Sequence, residues 1–114
     1  MSKPTVLLAD DEKDLADLFA LYLDDHYDTR VAYNGEEALE KLDSSVDVIL
    51  LDRRMPGYSG DEVLAAVRKE GWDCPVIFLS AIAKDADREN SADDYLEKPT
   101  NRDELVEIVK KNLP

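Results

Sequence analysis

Three short apolar runs punctuate the chain: Val6-Leu7-Leu8-Ala9, Val46 to Leu51, and Val76-Ile77-Phe78-Leu79. Runs of this length, bounded by polar residues, predict strands buried on both faces. A shorter run, Tyr95-Leu96, predicts another strand, and Thr29, Val31 and Tyr33 alternate as a more exposed strand does. Between them, apolar residues recur at helical spacing: Leu15, Leu18, Phe19 and Tyr22; Val63, Leu64 and Val67; Leu105, Ile108 and Val109. The face around Leu15 and Leu18 is expected to be core, with Asp14 and Asp17 on the exposed edge. Ser59 followed by Glu62 marks a capping box, Asn101 followed by Glu104 resembles one, and Asn34-Gly35 opens a short helix through Leu42. Trp72 is expected to cover the end of the third helix, and Cys74 to be a small buried hydrophobe.

Strands alternating with helices imply a parallel sheet covered on both faces, an α/β doubly wound architecture. Ligands of such sheets bind outside the carboxyl ends of the strands, near the switch in strand order. The residues just after each predicted strand are therefore the ones to inspect. Asp10, Asp11 and Glu12 follow the first, Asp52 the third, Ser80 the fourth, and Lys98-Pro99 the fifth. The second ends in Tyr33-Asn34, which offers nothing catalytic.

Singly these residues say little. The chain holds 17 aspartates and three Asp-Asp pairs, about what chance gives, and a lone lysine is usually a solvated cation. Together they make chemistry. Three carboxylates crowded at one sheet edge raise one another's pKa. A divalent cation relieves that repulsion, and an all-oxygen site suits Mg²⁺. Lys98 would partly neutralise the cluster without metal. An aspartate held beside Mg²⁺ and an ammonium is well placed to accept a phosphoryl group.

Composition narrows the alternatives. The 114 residues suffice for one domain with one core. No apolar run approaches the roughly 20 residues of a membrane span. The N-terminus meets acidic residues too soon for a signal peptide, so a cytoplasmic location is expected. One cysteine and one histidine exclude an internal disulfide and any Cys-cluster or multi-His metal centre. A formal charge of -13 repels phosphate backbones and argues against direct nucleic-acid binding. Such a charge fits either a salt-loving source or an acidic surface kept for solubility.

In order, Asp10-Asp11-Glu12, Asp52-Arg53-Arg54-Met55-Pro56-Gly57-Tyr58-Ser59-Gly60, Ser80-Ala81 and Asp94-Tyr95-Leu96-Glu97-Lys98-Pro99 resemble the receiver domain of two-component response regulators (CheY-like). The resemblance covers essentially the whole chain, residues 1–114. The paired arginines before Met-Pro look most like receivers of halophilic archaea (HalX type). It implies a flavodoxin-like five-stranded sheet of order 2-1-3-4-5 and a phosphorylation-dependent signalling switch rather than a classical enzyme. It further implies that Asp52 takes a phosphoryl group from a sensor histidine kinase. Asp11 would ligate Mg²⁺ directly, Asp10 through water, and the Arg54 backbone carbonyl would supply a third protein ligand beside Asp52. Ser80 and Lys98 would hold the phosphoryl group, and Lys98-Pro99 would be a cis peptide. Tyr95 would turn inward as Ser80 moves, although a half-buried strand aromatic needs no such role. The acidic edge of the first helix resembles the family's kinase-docking surface. The side chains at Arg54 and Ile82 would flank the path of attacking water, and neither suits orienting one, so slow self-dephosphorylation is expected.

The chain departs from the family between Ser80 and Lys98, which stand only 18 positions apart. From Lys84 to Ala92 no residue larger than Ala offers an apolar face, so a shortened or missing fourth helix is expected. The usual dimer surface would then be incomplete, implying a monomer or weak dimer. A phosphatase of the haloacid-dehalogenase type needs an Asp-x-Asp after its first strand, which is lacking; a phosphorylation-independent binding module would lack an acceptor, acid pair or lysine, and all are present. The output stays open among a free-standing receiver, a phosphorelay shuttle, and a receiver joined to an effector domain.

Overall fold

The computed structural model describes residues 3–80, 92–98 and 100–113, with only the backbone for Ser80. Within them the order is β1 (Thr5–Ala9), α1 (Lys13–Asp24), β2 (Asp28–Ala32), α2 (Gly35–Lys41), β3 (Val48–Asp52), α3 (Gly60–Lys69), β4 (Val76–Ser80), β5 (Asp94–Glu97) and α4 (Arg102–Asn112). The strands form one parallel sheet in the order β2-β1-β3-β4-β5, the doubly wound arrangement expected. The segment expected to hold a shortened helix between β4 and β5 lies at 81–91, outside the described residues, as does Pro99 with its expected cis bond.

Strand side chains alternate between two cores because successive residues point to opposite faces. Leu7, Ala9, Ile49, Leu51, Val76 and Phe78 pack with Ala38, Val63, Leu64 and Val67 of α2 and α3. Val6, Leu8, Val48, Leu50, Ile77 and Leu79 pack with Phe19, Leu23, Leu105 and Val109 of α1 and α4. Every residue of β3 is buried, which explains its unbroken apolar run. Truncating one of its leucines to alanine would cost about 3 kcal/mol.

Helix starts follow the sequence closely. Ser59 and Glu62 form the full capping box of α3, and Asn34 and Asn101 accept from Glu37 N–H and Glu104 N–H to cap α2 and α4. One expectation is met only in part. Leu15, Phe19 and Tyr22 pack on the core with Ala16 and Leu23, but Leu18, at the edge of the same stripe, is 41% exposed. Trp72 and Cys74 are partly buried against the core beside α3, as expected. Among the described residues no helix is long and apolar enough to cross a membrane.

Candidate functional site

Register decides what meets at the carboxyl edge of the sheet. Ala9 of β1 lies opposite Leu51 of β3, and Asp52 opposite Leu79 of β4. Asp10, the residue after β1, therefore comes level with Asp52. Ser80 lies opposite Glu97 of β5, which puts Lys98 one residue past the same edge. Three separate sequence segments thus deliver Asp10, Asp52 and Lys98 to one spot.

Asp10 is fully buried and Asp52 is 7% exposed, the two buried charged residues among those described. Both oxygens of Asp10 are engaged: Oδ1 accepts from Glu12 N–H at 3.0 Å and Oδ2 from the Lys98 ammonium at 2.7 Å. The same ammonium stands 3.5 Å from Asp52 Oδ2. Asp52 Oδ1 accepts from Arg54 N–H at 3.3 Å. Asp11 is exposed at the rim, yet each of Asp10, Asp11 and Asp52 offers an oxygen within 4.8 Å of the others.

Three carboxylates against one ammonium leave the cluster short of positive charge. Burial, first of all, pushes the Asp52 carboxyl up to about 7; Asp10 and a hydrogen bond shared with Asp11 push the same way, while Lys98 and Arg54 N–H pull against them. Burial also opposes the Lys98 charge, but its bond to Asp10 and the nearby Asp52 outweigh that and hold its pKa above the ordinary value. By itself this donor set leaves Asp52 only partly ionised at neutral pH. A divalent cation on the exposed side, beside Asp11, fits the charge deficit and the all-oxygen donors.

The loop after β3 is held tightly. Gly60 N–H bonds the Arg53 carbonyl at 2.9 Å, and a Cβ on Gly60 would stand 2.7 Å from both Arg53 Cα and the Asp52 carbonyl oxygen. Met55 is buried and Gly57 turns the chain at φ 75°. Arg53 lies over the Phe78 ring at 5.3 Å and pairs with Asp61 at 3.1 Å. Phe78 in turn meets Tyr95 with ring centroids 5.9 Å apart.

The structure therefore brings together Asp10, Asp11, Asp52 and Lys98, with Arg54 one step along the loop and Tyr95 behind β4. The hydroxyl of Ser80 and Pro99 lie outside the described residues. Sequence reasoning missed two features. The pairing of Lys98 with Asp10, rather than chiefly with Asp52, needed the register. The turn after β2, set aside as chemically empty, touches helix α1 and the β3–α3 loop: Tyr33 Oη donates to Asp17 Oδ1 at 2.6 Å, and Gly35 packs on Tyr58.

Comparison with known proteins agrees with this geometry. Residues 6–110 match the family model of the response regulator receiver domain. A Haloferax volcanii protein with a provisional name as a transcriptional regulator is 45% identical over 98% of this chain, which spans 20% of that protein. The transcriptional regulatory protein CpxR of Escherichia coli is 41% identical over 95% of the chain. The chain spans 48% of its length, so it is similar to one part of these longer proteins. Among solved structures, the chemotaxis protein CheY4 of Vibrio cholerae superposes with a TM-score of 0.90 at 28% identity, covering 98% of this chain and all of that one. The response regulator TrrA of Thermotoga maritima, solved in complex with Mg²⁺-BeF, gives 0.85 at 39% identity, covering 96% of this chain and 99% of its own. The chain belongs to the response regulator receiver domain family.

Proposed function

We propose that residues 1–114 form one receiver domain that accepts a phosphoryl group on Asp52 from a sensor histidine kinase and passes the event on as a conformational change. The observation that carries this reading is the buried Asp52 carboxylate held among Asp10, Asp11 and Lys98 at the sheet edge. An Asp52 oxygen attacks phosphorus; its P–O bond forms as the P–N bond to the donor imidazole breaks, and the imidazole leaves with the bonding pair.

The chain's own groups each have a task. Lys98, fixed by Asp10, balances charge beside Asp52 and the incoming phosphoryl oxygens. Ser80 donates its hydroxyl to the phosphoryl group, as the resemblance implies. Asp11, Asp52 and the Arg54 carbonyl would hold Mg²⁺, with Asp10 acting through water because Lys98 and Glu12 N–H already occupy its oxygens. When bound, the ion supplies positive charge that keeps Asp52 ionised and steadies the phosphoryl oxygens. Tyr95 is the side chain whose position reports the state of Ser80. Arg54, exposed and cationic, does not orient attacking water, which makes self-dephosphorylation slow.

The acidic outer edge of α1, with Asp14 and Asp17, is the kinase-docking surface, and a downstream effector domain or protein reads the switch in the cytoplasm. The 45% identity to the Haloferax volcanii protein and the charge of -13 support a halophilic, HalX-type affiliation. On that reading, raising KCl should raise the unfolding temperature by screening self-repulsion.

The test of the main reading is direct. With acetyl phosphate and Mg²⁺ the protein should gain one base-labile phosphoryl group, detected by intact mass. Undiminished labelling of Asp52→Asn would sink the assignment.

A further inference from the structure

The β2–α2 turn contacts the β3–α3 loop on one side and, on the other, helix α1, which begins directly after the Asp10-Asp11-Glu12 segment. On one side Tyr33 Oη donates to Asp17 of α1 at 2.6 Å, while the Lys13 ammonium sits 5.1 Å from the Tyr33 ring centroid. Lys13 opens α1 directly after Asp11 and Glu12. On the other side Gly35 is buried against the β3–α3 loop. A Cβ there would stand 2.2 Å from the Tyr58 carbonyl oxygen and 2.5 Å from Tyr58 Cβ. The turn itself is fixed: Glu37 Oε1 accepts from Tyr33 N–H at 3.0 Å and Asn34 Oδ1 from Glu37 N–H at 2.8 Å.

Local structure does not call for glycine at position 35. Positive φ occurs at Gly57 and Gly71, not here, so no left-handed backbone requires it. At the first position of a helix alanine has the better intrinsic propensity and loses less entropy on folding. What glycine gives is distance: it lets the backbone of Tyr58 close on the start of α2. Tyr58 is four residues from Arg54, and Met55 between them is anchored in the core.

We propose that Tyr33 and Gly35 are positioning residues that set the spacing between the Asp10-Asp11 loop and the Asp52-Arg54 loop, and so the affinity of the site for a divalent cation. The inference rests on the reading of those loops as the Mg²⁺ site. Shifting the Tyr58 backbone moves the Arg54 carbonyl relative to Asp11 without touching any ligand. Supporting residues of this kind typically alter metal affinity 10- to 100-fold.

The experiment is calorimetric titration of Mg²⁺ into the unphosphorylated protein, with unfolding temperature measured in parallel. Gly35→Ala should bind Mg²⁺ about tenfold more weakly, the low end of such effects. Ala38→Gly, a buried change three residues further along the same helix, should lose stability while keeping the wild-type affinity. Tyr33→Phe removes only the exposed bond to Asp17 and should weaken Mg²⁺ at least twofold with little change in stability. Wild-type affinity in Gly35→Ala overturns the proposal, as does equal weakening in Ala38→Gly. If Gly35→Ala does not fold, wild-type affinity in Tyr33→Phe overturns it. Asp11→Asn separates the two levels of argument: undiminished Mg²⁺ binding in that variant would overturn the site assignment itself.

Discussion

The Lys98 ammonium donates to Asp10 Oδ2 at 2.7 Å, joining the carboxyl ends of β1 and β5 across 88 positions of sequence. Asp52 receives the same cation at a longer 3.5 Å. The lysine is therefore committed first to the fully buried Asp10, and it stands beside Asp52 from a fixed position. An isolated carboxylate at full burial would be strongly disfavoured.

Removing that cation should cost stability as well as function. Lys98→Ala leaves the buried Asp10 side chain without its ammonium partner, a defect that typically costs roughly 3 kcal/mol. Mg²⁺ should restore part of the loss, because binding to the native state alone stabilises it. Urea unfolding with and without Mg²⁺ measures both. Equal stability of the variant and the wild type in EDTA would contradict the role assigned to the pair.

The acceptor should also make metal-free stability depend on pH. Its folded pKa of about 7 lies above the ordinary carboxylate value, so the native state holds this proton more tightly than the unfolded chain. The stabilisation is fully present below about pH 4, the unfolded carboxyl range, and is lost as pH rises through about 7. The contribution is on the order of 3 kcal/mol over that window. Asp52→Asn, with no proton to release, should be the more stable protein at pH 8 in EDTA. A wild type whose excess stability over the variant does not fall between pH 5 and 8 would exclude the shift.

Asp10 and Asp11 should separate into different phenotypes. Asp11 is exposed at the rim, whereas both Asp10 oxygens are engaged inside the protein. Asp11→Ala should lower Mg²⁺ affinity sharply with little effect on unfolding. Asp10→Ala should lower stability, leaving Lys98 without its main partner, and affect Mg²⁺ less, since water can replace a water-bridged carboxylate. Equal Mg²⁺ affinities in the two variants would refute the ranking.

Gly60→Ala tests the loop that carries the acceptor. The added Cβ meets backbone at 2.7 Å, on Arg53 and Asp52 themselves, so the strand end must move. A destabilisation of about 2 kcal/mol is expected. Phosphorylation by acetyl phosphate should slow by a larger factor than that of an equally destabilised core variant such as Leu105→Ala. Equal rates in the two would show that the loop tolerates the shift.

Much of this protein is set by its sequence alone. Unbroken apolar runs fix buried strands because parallel strands covered on both faces have no polar side, and the caps at Ser59 and Asn101 fix helix starts through hydrogen bonds three residues long. Since side chains and caps act locally, α/β class and strand-end chemistry were legible. The tertiary structure decided what depends on distant segments meeting. It set how α1 is turned on the sheet, burying Phe19 and leaving Leu18 of the same stripe exposed. It assigned Lys98 first to Asp10, a choice made by sheet register rather than by either motif. It turned Tyr33 and Gly35, silent as residue types, into the contact between helix α1 and the β3–α3 loop, because a glycine's meaning at close approach lies in the neighbour that fills its missing Cβ.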